Sequence, residues 1–195
     1  MGRIPPEFLK DPNYDPNRFP RAFEDALLMV LKPNHLYAER INLHDPYEVD
    51  FAIQQTSNKE TLFYAEAEYD ASGKVFTKDG QIAYDRLNIL SRKKKYFLKD
   101  KPTVFVKGNL QFIFVLDTNY VLKFGVEKTI LCSFRKYKET IKTASDYLKN
   151  VKFLDDRVFQ INTKHAIESG VLLFGSLQNW IQYVKQIHRL GGLQL

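Results

Sequence analysis

The chain has 195 residues, 44% hydrophobic and 27% charged, with a formal net charge of +6. That composition excludes wholesale disorder. No stretch approaches the roughly 20 apolar residues needed to cross a bilayer, and the start lacks the apolar core of a secretory signal. A single cysteine, Cys132, excludes an internal disulfide framework, argues against a cysteine zinc site and points to a reducing, intracellular setting.

The charge is unevenly spread. Residues 1–100 hold 15 basic and 16 acidic side chains, and residues 101–195 hold 14 basic and 7 acidic. Such an excess of base suits a polyanionic partner, nucleic acid above all, although solubility alone is the plainer account.

In chain order, prolines at 5, 6, 12, 16 and 20 mark residues 1–19 as an extended, Pro-rich arm. Phe23, Ala26, Leu27, Val30 and Leu31 recur at helical spacing, which predicts an amphipathic helix over 20–32, ended by Pro33. Tyr47, Val49, Phe51 and Ile53 alternate as in a strand, and Thr61–Tyr69 reads as a second strand after a turn at 56–59. The two form a predicted hairpin. Residues 71–80 read as a polar loop. A helix is expected from Gln81 to Phe97, with Ala83, Leu87, Leu90 and Phe97 as its apolar stripe.

Thr103–Lys107 and Gln111–Asp117 read as strands joined by a Gly108-Asn109 turn, the second apolar on both sides and therefore central. Tyr120–Phe124 and Thr129–Phe134 are further predicted strands, and Ser145–Val151 a short helix. Ser176 is the expected N-cap of a last helix carrying Leu177, Trp180, Ile181, Val184 and Ile187, stopped by Gly191-Gly192. The order predicts an α/β fold, with α+β as the alternative: a mixed central sheet flanked by helices. A single domain over 20–195 is expected, with a core over about 20–125 and a basic part over 126–195.

Asp50 lies in an otherwise apolar strand, and Glu66 and Glu68 lie two apart in its predicted neighbour, on one face. In an ordinary register the three carboxylates share a patch. Like charges facing each other across a sheet are destabilising, so a cluster needs a compensating cation, a raised pKa or full solvation. A divalent cation with oxygen ligands answers that need; a wet sheet face is the alternative.

The order of helix, strand with Asp50, strand with Glu66-Ala67-Glu68, helix and strand resembles the PD-(D/E)XK nuclease superfamily over roughly residues 20–117. Glu68 stands where that motif usually has Lys, and Val49 where it has Pro. The resemblance implies a restriction-endonuclease-like core and an Mg²⁺-dependent endonuclease that hydrolyses phosphodiester bonds, in DNA rather than RNA, with Mn²⁺ as a substitute ion. Asp50 and Glu66 would ligate the metal. Glu68 would be a further ligand or orient the attacking water, and Glu24 is an additional candidate ligand, otherwise a solvent-facing helix acid. Lys74, Lys78, Arg86 and Lys93 are candidates for the displaced lysine. A homodimer is a further implication.

Arg86, Arg92, Lys93, Lys94, Lys95, Arg135, Lys136 and Lys138 are candidate nucleic-acid contacts, with Tyr137 interleaved as in stacking surfaces. A solvated helix end explains the 92–95 run equally well. His35, His44, His165 and His188 are scattered, Cys132 reads as core, and no phosphate-binding glycine loop is present. The alternatives to a nuclease are a basic nucleic-acid-binding protein without catalysis, or an interaction protein that docks through its Pro-rich arm.

Overall fold

The computed structural model describes residues 18–41, 48–70, 73–135 and 151–190. The expected arm, bar its last two residues, positions 145–150 of the expected short helix and the glycine stop fall outside them. Helix α1 spans Arg18–Met29. Strands β1 (Leu36–Arg40), β2 (Phe51–Gln55) and β3 (Thr61–Tyr69) follow as an antiparallel meander, with Phe51 opposite Ala65. Strand β5 (Thr103–Gly108) then lies parallel to β3, and β6 (Phe112–Asp117) antiparallel to β5. Strand β9 (Leu172–Ser176) completes a mixed six-stranded sheet in the order β1-β2-β3-β5-β6-β9. The fold is therefore mixed α/β.

The connection between β3 and β5 departs from expectation. No helix runs from Gln81 to Phe97. Instead, β4 (Arg86–Leu90), a 3₁₀ turn (Ser91–Lys93) and the short α2 (Lys94–Phe97) succeed one another. Leu87 and Ile89 are buried while Arg86 and Asn88 are exposed, so the operative period is two. Strand β4 joins β8 (Val151–Asn162) and β7 (Val126–Arg135) in a separate three-stranded sheet. The predicted strand at Tyr120–Phe124 is also overturned. Asp117 accepts a hydrogen bond from the Asn119 amide (2.9 Å) and caps α3 (Thr118–Phe124). An acid read as a turn residue is thus a helix N-cap. Helix α4 (Thr163–Glu168) precedes β9.

Two apolar layers flank the large sheet. On one face Phe63, Val104, Val106, Ile113 and Val115 meet Phe23 and Leu27 of α1 and the helix α5 (Trp180–Leu190). On the other, Phe105, Phe114 and Leu116 meet Leu87, Ile89, Phe159 and Ile161 of the small sheet. This alternation explains why β5 and β6 read as apolar throughout.

Trp180 fastens the helical layer. Its indole nitrogen donates to the Leu27 carbonyl at 3.0 Å, far from it in sequence. That carbonyl lies in the last turn of α1, where acceptors lack partners within the helix. Trp180→Phe leaves it unsatisfied in an apolar interior and is expected to cost about 2 kcal/mol in urea unfolding.

Candidate functional site

The hairpin register places Phe51 beside Ala65 and Ala52 beside Tyr64. Carried one residue further, it sets Asp50 against Glu66. The Oδ2 of Asp50 accepts the Ala67 amide at 2.8 Å, which holds the carboxylate against β3 just beyond the end of β2. On the other side of β3, Glu66 pairs with Phe105 and Glu68 with Lys107 of β5.

Lys93 enters from the crossover. The 3₁₀ turn swings it inward, while Arg92, Lys94 and Lys95 stay exposed. Its Nζ donates to Oε1 of Glu66 at 2.7 Å and to Oε2 of Glu68 at 3.2 Å, and lies 5.1 Å from the centre of the Phe105 ring. Lys107 donates to the other oxygen of Glu68. One lysine therefore bridges two glutamates, and a second lysine closes the row. The side chains of Lys93 and Glu66 are 12% and 8% exposed, against 34% for Glu68.

These surroundings separate the two glutamates chemically. Burial raises the Glu66 carboxyl to about 7; Lys93 opposes the rise and the charge of Asp50 adds to it. Burial also pushes Glu68 upward, but Lys93 and Lys107 outweigh it and hold that carboxyl at about 2. Burial would strip Lys93 of its proton, yet Glu68 and Glu66 together push its pKa up. The second oxygen of Glu66 is buried and has no hydrogen-bond partner among the described residues.

Glu24 of α1 borders the cluster. It accepts from Arg40 of β1 at 2.7 Å and is half-buried, so its carboxyl is raised by burial, lowered by Arg40 and raised again by Asp50. It is not the solvent-facing acid of the alternative reading. Tyr96 stands within electrostatic reach of Glu66, Lys93 and Asp50, and its hydroxyl is raised chiefly by burial.

The sequence-derived residues thus meet only in part. Asp50, Glu66 and Glu24 are electrostatic neighbours, whereas Glu68 is occupied by two lysines. Among the described residues no group of three or more His, Cys, Asp or Glu side chains is close enough to hold a metal ion. Of the candidate displaced lysines, Lys93 is in place. Lys74 and Lys78 are exposed, and Arg86 bonds Gln160 on the small sheet. The side chains of Arg135, Lys136, Tyr137, Lys138 and Cys132 lie outside the described residues. Sequence reasoning missed Lys107 and Arg40. Lys107 had a usable signal, a lone charge within an apolar strand, as at Asp50.

No known protein family, curated protein or solved structure matches this chain. No helix among the described residues is long and apolar enough to cross a membrane.

Glu66 is held above its ordinary value of 4.5, so it favours the folded state less and less as pH rises from there to about 7. Glu68 is held below, so its contribution is complete above about 4.5 and is lost as pH falls through about 2. Removing Lys93 leaves Glu66 without its cation and Glu68 with Lys107 alone. Lys93→Met is expected to cost about 3 kcal/mol at pH 8. The loss should be smaller at pH 5, where an unpaired Glu66 takes up a proton. Urea unfolding at the two pH values checks this, and equal losses would contradict it.

Proposed function

We propose that the chain is a metal-dependent nuclease that hydrolyses phosphodiester bonds in nucleic acid, with DNA as the favoured substrate. The observation that carries the reading is Glu66: a buried carboxylate with one oxygen on Lys93, the other without a partner among the described residues, and Asp50 beside it. The order of elements supports the same reading. Helix α1, a meander with Asp50 just before its second strand and Glu66 on its third, and a crossover to a parallel strand are in keeping with a restriction-endonuclease-like core, but β4 and the four-residue α2 stand where the resemblance expects a helix.

The donor set fits a hard divalent cation of the Mg²⁺ type, which needs only one or two protein carboxylates when water and phosphate supply the rest. Asp50 and Glu66 would hold it, with Glu24 at the margin. Such a cation, when bound, polarises the scissile phosphate and acidifies a bound water. Lys93 keeps its proton and offers positive charge where negative charge develops on the phosphate. Glu68 and Lys107 fix the lysine's position. Glu68 acts here as a positioning residue rather than as a third ligand.

A binding protein without catalysis is the second reading. It is favoured by the two lysines that already neutralise Glu68 and by the lack of a three-acid group among the described residues. Incubation of supercoiled and linear DNA with Mg²⁺ or Mn²⁺ separates the two. Cleavage is expected, and Asp50→Ala and Glu66→Gln should abolish it while the thermal unfolding profile persists. Lys93→Arg should retain part of the rate, and Lys93→Met should lose about 100-fold. Cleavage undiminished by Asp50→Ala would overturn the proposal.

A further inference from the structure

The small sheet turns one face to the core and the other away from it. Leu87, Ile89, Phe159 and Ile161 are buried inward. The alternate positions face outward: Arg86 and Asn88 on β4, Gln160 and Asn162 on β8, Val126 and Lys128 on β7. These six positions carry two cations and no carboxylate; further along β8 the same alternation brings the buried Val158 and then Asp156 to this face, and Glu127 alternates to the other side. Three of them form a polar row: Arg86 Nη1 donates to Gln160 Oε1 at 3.0 Å, and Gln160 Nε2 donates to Asn88 Oδ1 at 3.2 Å.

An aromatic cluster adjoins this row. Val126 pairs with Gln160, and one residue, Gly125, separates Val126 from Phe124 at the end of α3. Phe124 is 50% exposed and Val126 57%. The Phe124 ring lies 4.9 Å from Tyr120 and 6.0 Å from His165, centroid to centroid. Tyr120 and His165 are themselves stacked, 5.8 Å apart at 29°, and the tyrosine hydroxyl bonds His165 Nδ1. The rings are thus fixed in place before any ligand arrives. Lys123 holds its ammonium 5.2 Å from the Phe124 centroid.

We infer that this face binds single-stranded nucleic acid. A base stacks on the exposed Phe124 and His165 rings, and neighbouring bases present their edges to Gln160, Asn88 and Arg86. Stacking rings flanked by cations are the elements that hold unpaired strands, and amides and guanidinium groups are those that bond base edges. A duplex buries its base faces and cannot offer them to Phe124. The inference shares with the nuclease reading only its class of partner, because it requires binding and not cutting.

Fluorescence anisotropy of the full chain in EDTA tests it, using oligo(dT) and oligo(rU) of about 15 nucleotides and the matching DNA duplex. Both single strands should bind more tightly than the duplex, and the tighter of the two assigns the sugar. Phe124→Ala, at a half-exposed position, should weaken binding about tenfold with an unchanged melting profile, and Phe124→Trp should restore it. Arg86→Ala should also weaken binding. Asp50→Ala should leave it intact, so that loss of cleavage and loss of binding are scored separately. No binding, preference for the duplex, or equal affinity in Phe124→Ala would each overturn the inference without touching the nuclease reading.

Discussion

Two parallel strands cannot be joined by a tight turn. The chain that leaves β3 at Tyr69 must therefore cross a face of the sheet before it re-enters at Thr103 as β5. That detour is the source of much else. It contributes β4, one edge of the small sheet, and its 3₁₀ turn delivers Lys93 onto the glutamates of the strand it has just left. The parallel register also fixes Lys107 beside Glu68, since these residues are direct partners across the pair. The charged cluster is in this sense a product of topology: its acids lie just before β2 and on β3, and its lysines arrive with the crossover and with β5.

Stability gives no strong reason to keep such a cluster. A buried ion pair recovers little more than the desolvation of its members, and well-packed apolar residues of similar size often serve as well or better. The neighbouring positions already show that apolar side chains fit here, for Phe105 faces Glu66 across the strands and is itself buried. The cluster is also unevenly balanced. Glu68 is served by two lysines, whereas Glu66 shares one of them, faces Asp50 and keeps an oxygen without a partner among the described residues. That imbalance is the observation on which the proposed site rests, since perturbed carboxylates gather at functional sites.

The strands that carry the acids were legible because their alternation is unbroken and interrupted only by charge. Phe51 and Ile53 on one strand, and Phe63 and Ala65 on the other, all turn to one core, and Asp50 and Glu66 fall on the opposite side. The crossover misled for a definable reason. Ala83, Leu87 and Leu90 satisfy helical spacing, yet Leu87 and Ile89 satisfy a period of two as well, and pairing with β8 decides between them. In α3, aromatic and branched residues favour a strand, but the cap at Asp117 and burial of Tyr120 and Val121 select a helix. Strands β1, β8 and β9 left no clear signal. Leu36–Arg40 lies at a sheet edge with partial burial, and Leu172–Ser176 is short and contains Gly175. The role of Lys93 could not be separated from Arg92, Lys94 and Lys95 by sequence, because only the sense of the 3₁₀ turn decides which one points inward.

The uneven charge along the chain acquires a spatial meaning from these contacts. Glu24, Glu48, Glu66 and Glu68 in the first half are each bonded to a cation, respectively Arg40, Lys99, Lys93 and the Lys93–Lys107 pair. Each such cluster nearly cancels at a distance, its cations as well as its acids, so the net charge of +6 that an approaching polyanion meets is carried by the rest of the chain. Strand β4 links the two regions where that polyanion would be used. Arg86 and Asn88 stand on the outer face of the small sheet, and Lys93 reaches the acids from the turn that directly follows the strand. At about 3.3 Å per residue, Arg86 lies some four strand positions, roughly 13 Å, before Leu90. One continuous segment of the crossover thus carries both the outer-face residues of β4 and the lysine that meets Glu66.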